Sequence, residues 1–232
     1  MTAGLNGVFC LEGQWTGDLS DTASVLPTLE HLERARELRF IHRHVATRDE
    51  VAYYFGRLRT RAYDRYRVVY LSMHGDRGGI LLNPNDRQLI SLAELAELMQ
   101  GACVGRYIYL GSCATLLTSQ RALNDFVRGT GARLLCGYTK SVDWTEASAF
   151  DILLLTNLVN QSYRSGTKKY LEGKVFGSWS SHLGLKFVVP RGGGLAFSAE
   201  LLTPRIECSY LTRENLRAIR QSAFSWFSST SW

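Results

Sequence analysis

Several common signatures are missing from this 232-residue chain, and each absence argues against a class of protein. No apolar run approaches the roughly 20 residues that a membrane-spanning helix needs, so we expect no membrane partner. Residues 1–15 lack the charged start and the apolar stretch of a secretory signal peptide, which favours a cytoplasmic protein. No GxGxxG or GxxxxGKS/T pattern follows a strand-like segment, which argues against a nucleotide-binding domain.

Cysteine is also scarce, with five residues, and no two of them have the CxxC spacing. Neither a disulfide framework nor a zinc site is indicated by this pattern, and we expect no metal and no cofactor. Cys10 and Cys136 lie within strand-like runs and are predicted to be small core residues. The spacing leaves the roles of Cys103 and Cys208 open.

The chain carries a formal charge of +6, yet its basic residues are spread over many segments. No lysine- and arginine-rich track alternates with aromatic residues, as it does in many nucleic-acid-binding surfaces. We therefore expect no nucleic-acid partner.

Strand-like and helix-like segments alternate along most of the chain. Strands are predicted at 5–11, 38–44, 66–73, 107–110, 133–138 and 185–189, the last as a central strand, and helices at 25–36, 47–58, 91–99, 122–128 and 145–159. This alternation is typical of an α/β fold with a mostly parallel sheet of about six strands and helices on both faces. We expect one domain over 1–232, with its core at about 5–190 and a C-terminal extension over 191–232.

Two predicted strands end in reactive side chains. Tyr66–Met73 (YRVVYLSM) leads into His74 and Gly75, and Tyr107–Leu110 (YIYL) leads through Gly-Ser into Cys113. The carboxyl ends of parallel strands open onto one crevice, where an imidazole can activate a thiol. The N–H groups of Gly75 and Cys113 are then candidates for stabilising an oxyanion, and a helix starting just after Cys113 would direct its positive end at the thiolate. The alternative is an inert buried cysteine beside an ordinary His-Gly turn.

These strand ends resemble the His-Gly and Cys strand ends of the caspase-like cysteine peptidases, a superfamily that includes caspases, metacaspases, separases, gingipains and the bacterial CHAT peptidases. The resemblance covers residues 5–190, and KSVDWTEASAFDILLLTNL (140–158) is similar to a CHAT pattern in which a strand leads through Trp and an acidic residue into an apolar helix. It implies a three-layer α/β/α sandwich and a cysteine endopeptidase with His74 as general acid/base and Cys113 as nucleophile. Gly-Ser-Cys-Ala-Thr departs from the caspase pattern and indicates a bacterial-type relative. The resemblance further implies a role in a bacterial defence or regulated-death system.

The resemblance also implies a location for the pocket that holds the residue before the cut. In this superfamily the end of the first strand helps to form that pocket, and Glu12 stands there, with Asp143 beyond the fifth strand. A carboxylate in such a pocket selects a cation, so we expect cleavage after Arg or Lys, with Trp15 and Trp144 as pocket walls. The alternative is that Glu12 caps a loop or pairs with a surface arginine.

Three functions therefore remain open. The first is an endopeptidase acting on a protein or peptide substrate, switched on by a partner protein, dimerisation, a ligand or cleavage. The second is a catalytically inactive caspase-like module that binds other proteins. The third is an unrelated doubly wound domain that binds a nucleotide or anion, for which only RGGG at Arg191–Gly194 offers a glycine-rich segment.

Overall fold

The fold is that of a computed structural model, which describes residues 5–85, 89–99, 101–160, 168, 171 and 176–190. The strands are β1 (Gly7–Glu12), β2 (Arg39–His44), β3 (Tyr66–Ser72), β4 (His74–Asp76), β5 (Gly79–Leu81), β6 (Ile90–Ser91), β7 (Tyr107–Leu110), β8 (Leu134–Tyr138) and β9 (Leu185–Val188). The α-helices are α1 (Leu26–Arg34), α2 (Arg48–Leu58), α3 (Leu92–Leu98), α4 (Gln120–Thr130), α5 (Trp144–Asn160) and α6 (Gly177–Leu183). The predicted C-terminal extension, with Cys208 and the RGGG segment, lies outside the described residues.

The main sheet has six strands in the order β2-β1-β3-β7-β8-β9. The first five are parallel, and β9 pairs antiparallel with β8 at the edge. The predicted α/β fold with a mostly parallel sheet of about six strands is therefore confirmed. The prediction of a central last strand is wrong, because β9 has a neighbour on one side only in the described part of the chain.

Helices cover both faces of this sheet, which explains why its strands read as nearly continuous apolar runs. Along β3, Val69 and Leu71 belong to the core that contains buried residues of α2, α3 and α4. Their neighbours Val68 and Tyr70 belong to the opposite core, which includes residues of α1 and α5. All six residues of β1 are buried. The described part of the chain is thus a three-layer α/β/α sandwich.

Side-chain caps fix the starts of three helices. Thr47 and Ser91 each form a capping box with the glutamate three residues later, and Ser119 accepts a hydrogen bond from the Ala122 N–H. None of the described helices combines the length and apolar character that crossing a membrane requires.

Candidate active site

The strands that precede His74 and Cys113 are neighbours. β3 and β7 pair in parallel with Leu71 opposite Leu110, and the Gly111 N–H donates a 2.8 Å hydrogen bond to the Leu71 carbonyl. His74 and Cys113 follow their strands by two and three residues, so both segments leave the sheet at the carboxyl ends of its parallel strands. The two strand ends are therefore adjacent.

The segments that follow these strands pack directly against each other at Gly75. A Cβ atom built on Gly75 would lie 2.8 Å from the Cys113 carbonyl oxygen and 2.7 Å from the Ser112 Cβ. Real Cβ atoms do not approach other atoms so closely, so a side chain here would push the segments apart. Glycine therefore allows the residue after the histidine to touch the backbone of the cysteine. His74 and Cys113 are both partly exposed in this arrangement.

A backbone carbonyl orients the His74 imidazole. Its Nε2 lies 2.6 Å from the Trp15 carbonyl oxygen, and the Trp15 ring meets the imidazole edge-on with centroids 5.3 Å apart. A carbonyl only accepts hydrogen bonds, so Nε2 is the nitrogen that donates in this contact, which leaves Nδ1 as the ring atom that can accept a proton. Sequence reasoning assigned Trp15 to a pocket wall and missed this contact, because a main-chain acceptor leaves no residue-type signal.

Cys113 differs from the other described cysteines in its surroundings. Its Sγ accepts from the Val142 N–H at 3.5 Å and lies 3.9 Å from the Val142 carbonyl oxygen. Cys10, Cys103 and Cys136 are buried, and burial raises the pKa of Cys103 to about 12 and also raises the pKa values of Cys10 and Cys136. The prediction that Cys10 and Cys136 are core residues is confirmed.

The turn after Cys113 corrects one expectation. No helix starts there, since α4 begins only at Gln120, and so no helix end points its positive dipole at the thiol from this segment. Instead Ala114 adopts a left-handed conformation with φ 52°, and its N–H donates to the Lys140 carbonyl at 3.0 Å.

Two groups beside the thiol are left without hydrogen bonds within the described part of the chain. The Cys113 N–H donates to no described residue, and the buried Ser112 hydroxyl has no partner there. Gly75, the other predicted oxyanion donor, lies in β4 opposite Ile80 of β5. The unpaired Cys113 N–H is compatible with the role predicted for it.

Glu12 does not face an open pocket, which corrects its predicted role in holding a substrate side chain. The residue is 0% exposed. Its carboxylate accepts four hydrogen bonds within the protein, at 2.6–2.8 Å, from Trp15 Nε1, the Val25 N–H, Ser24 Oγ and His42 Nε2. These bonds outweigh the opposing effect of burial and lower the pKa of Glu12. No oxygen is left to meet a guanidinium.

Asp143 and Trp144, the other predicted pocket residues, are both exposed. Asp143 Oδ1 accepts from the N–H groups of Thr145 and Glu146 at the start of α5. The Trp144 ring packs edge-on against Trp15, with centroids 4.6 Å apart. Trp15 thus contacts both His74 and Trp144, and Asp143 immediately follows the residue whose backbone contacts the thiol.

A buried polar cluster on the α5 face of the sheet was not predicted. Asp151 Oδ2 accepts from Tyr70 OH at 2.5 Å, and Oδ1 accepts from Tyr109 OH at 2.6 Å. Tyr138 OH lies 2.7 Å from Tyr109 OH, so three neighbouring strands contribute hydroxyls. Burial raises the pKa of Asp151 to about 7, although the tyrosine hydrogen bonds oppose that shift.

Comparison with known families gives a match over much of the chain. Residues 6–164 match a family described as "Family of unknown function (DUF6642)", and this range is more than half of the chain. It contains His74, Cys113 and Asp143. No curated protein matches the chain.

Proposed function

We propose that this chain, which belongs to the family of unknown function DUF6642, is a cysteine endopeptidase of the caspase-like kind. Cys113 is the nucleophile and His74 the general acid/base. The observation that carries the proposal is the close packing of Gly75 against the Cys113 backbone, where two parallel strands end side by side. A partly exposed imidazole and the one partly exposed thiol of the described cysteines then share a single edge of the sheet.

The hydrogen bond to Trp15 supports a distinct role for each imidazole nitrogen. Because Nε2 donates to the Trp15 carbonyl, Nδ1 is the base that takes the proton from the Cys113 thiol. The thiolate attacks the carbonyl carbon of the scissile peptide bond, and the unpaired Cys113 N–H stabilises the oxygen that becomes negative. The protonated Nδ1 then gives its proton to the departing amine, which leaves a thioester on Cys113. Water, deprotonated by Nδ1, hydrolyses the thioester and restores the thiol.

The contact with Val142 supports a nucleophilic role for the thiol. A thiolate is favoured by a hydrogen-bond donor, and the Val142 N–H already points at Sγ from 3.5 Å. Cys113 follows β7 and Val142 follows β8, so the two residues in this contact come from the ends of neighbouring strands. This arrangement holds the thiol at the surface end of the sheet, away from the apolar core that contains the other described cysteines.

We further propose that the enzyme prefers a basic residue before the cut, with Asp143 as the acidic group that recognises it. Asp143 is exposed, and its Oδ2 accepts no hydrogen bond from the described residues. The neighbouring faces of Trp15 and Trp144 offer apolar surface for the methylene groups of Arg or Lys.

The central experiment measures cleavage of a peptide library by wild type, Cys113→Ala, His74→Ala and the control Cys103→Ala. We expect the first two variants to lose at least about 100-fold in kcat/KM and the control to keep its activity. Full activity of Cys113→Ala would overturn the proposal.

Iodoacetamide labelling provides an independent measurement on the same proteins. Cys113 should react faster than Cys10, Cys103 and Cys136, and its rate should fall in His74→Ala. Equal rates for the described cysteines, together with no cleavage of any library peptide, would favour the inactive protein-binding module instead.

The substrate preference is tested with Asp143→Asn. Asparagine also caps helices, so the hydrogen bonds at the start of α5 are retained while the charge is removed. We expect kcat/KM for arginine substrates to fall about tenfold and that for an alanine substrate to stay unchanged. An equal fall for both substrates would contradict a specific contact with the basic side chain.

A further inference from the structure

We propose that Glu12, His42 and His44 form a binding site for a divalent transition-metal ion of the zinc type. Glu12 is the last residue of β1 and lies opposite His44 of the parallel strand β2. His42 stands two residues earlier on β2, and alternate residues of a strand share a face. One ligand atom from each of the three residues lies within 4.8 Å of the others.

The donor set suits zinc. Two imidazoles and one carboxylate are common ligands of this ion, at bond lengths of about 2.0–2.2 Å, with water completing a tetrahedron. Ligand atoms around one such ion are about 3.3 Å apart, as bond lengths of that size require. Glu12 Oε2 and His42 Nε2 are now 2.6 Å apart and share a proton that the ion would replace. His44 is exposed, and its ring lies edge-on to that of His42 with centroids 4.7 Å apart, so it can turn inward.

Charge balance favours the same conclusion. Glu12 is 0% exposed, and its two carboxylate oxygens accept four hydrogen bonds. Within the described part of the chain, its ion-pair partner is the His42 imidazole, whose side chain is 7% exposed. A divalent ion in place of the proton shared by Glu12 and His42 would add positive charge beside this buried carboxylate, which favours binding. The cysteine spacing gave no hint of this site, because none of its ligands is a cysteine.

The ion would also stiffen the loop that orients the imidazole. Glu12 Oε1 accepts from Trp15 Nε1, and the Trp15 carbonyl accepts from His74. Fixing Glu12 therefore fixes the residue that holds His74 in place. This consequence for activity rests on the proposed peptidase function, whereas the metal site itself does not.

The test uses the full chain with Cys113→Ala, so that the thiol cannot bind the metal and binding is independent of catalysis. Zinc chloride is titrated calorimetrically into this protein and into two double variants that also carry His44→Ala or His31→Ala. His31 is an exposed histidine of α1 and serves as the matched control. We expect one zinc ion per chain with equal Kd for the parent and the His31 variant. The Kd should rise at least about tenfold in the His44 variant.

Three results would overturn the proposal: no zinc binding by the Cys113→Ala chain, unchanged binding by its His44→Ala variant, or equal weakening by His31→Ala. Circular dichroism and the Tm without metal establish that each variant is folded, and exposed His44 is expected to tolerate replacement. The visible spectrum with Co²⁺ adds a second readout. Bands without a thiolate charge-transfer component support histidine and carboxylate ligands, and a thiolate band would assign the ion to a cysteine and overturn the proposal.

Discussion

Asp151→Asn should abolish a pH dependence of stability that the burial of the Asp151 carboxyl creates. Asp151 is 2% exposed, and its pKa is raised to about 7 by burial. An unfolded chain releases the same proton near pH 4. Between these values the folded protein holds more protons than the unfolded one, so raising the pH lowers the free energy of unfolding. Above pH 7 both states are ionised and this dependence ends.

The size of this change in the free energy of unfolding follows from the shift in the Asp151 pKa. A difference of about 3 pKa units corresponds to about 4 kcal/mol across the whole window. Over the practical range from pH 5 to pH 8 the expected decline is about 2.5 kcal/mol. Asparagine cannot ionise, and its amide can still bond to Tyr70 and Tyr109, so the variant should lack this decline while remaining folded.

The assay is urea unfolding, followed by circular dichroism, at pH 5, 6, 7 and 8. The quantity of interest is wild type minus Asp151→Asn, because titrations of the other groups cancel in this difference. Tyr109→Phe removes a hydrogen bond that lowers the Asp151 pKa, so it should move the window to higher pH, whereas Tyr138→Phe leaves both carboxylate bonds in place. A difference that stays constant with pH would refute the assignment of a raised pKa to Asp151.

Two further predictions concern the turns that bring the candidate dyad together. Gly75→Ala should lower the free energy of unfolding by about 1–3 kcal/mol and reduce the proposed peptidase activity, because its Cβ meets the Cys113 backbone. Gly56 has open space around it, so Gly56→Ala should instead stabilise α2 by up to about 1 kcal/mol in the same urea assay. If both alanine variants are equally stable and active, the close approach is not needed. Ala114→Gly should leave the free energy of unfolding unchanged or raise it by up to about 1 kcal/mol, because the φ of 52° at Ala114 suits glycine. Ala96→Gly within α3 is the control and should lower the free energy of unfolding by about 1 kcal/mol. A similar loss for both variants in chemical unfolding would contradict the left-handed turn.

The helices and strands could be predicted from the sequence because the patterns that indicate them involve residues close together in the chain. The run YIYL was predicted as a strand, and β7 covers the same four residues. The run has no charged residue because helices cover both faces of this strand. The start of the predicted helix at 91–99 agrees with α3, whose capping partners Ser91 and Glu94 lie within one turn of each other. The positions of His74 and Cys113 at strand ends followed from the same reasoning.

The burial and hydrogen bonding of the acidic residues could not be predicted in this way. Glu12 was predicted to face a substrate. Instead, its carboxylate accepts hydrogen bonds inside the protein from Trp15 and from three residues that lie 12 to 30 positions further along the chain. Asp151 lies in an apolar helix pattern, and its tyrosine partners are 81 and 42 residues distant. The three possible metal ligands likewise meet only because β1 and β2 pair in one register.

By itself, the sequence determined the alternation of strands and helices and the strand-end positions of the imidazole and the thiol, because hydrophobic periodicity and turn residues act over a few neighbours. Tertiary structure alone decided the edge position of β9, the tilt of His74 toward a main-chain carbonyl, and which carboxylates are enclosed and which are open to solvent. Those properties depend on strand order and register, which bring together groups that are far apart along the chain.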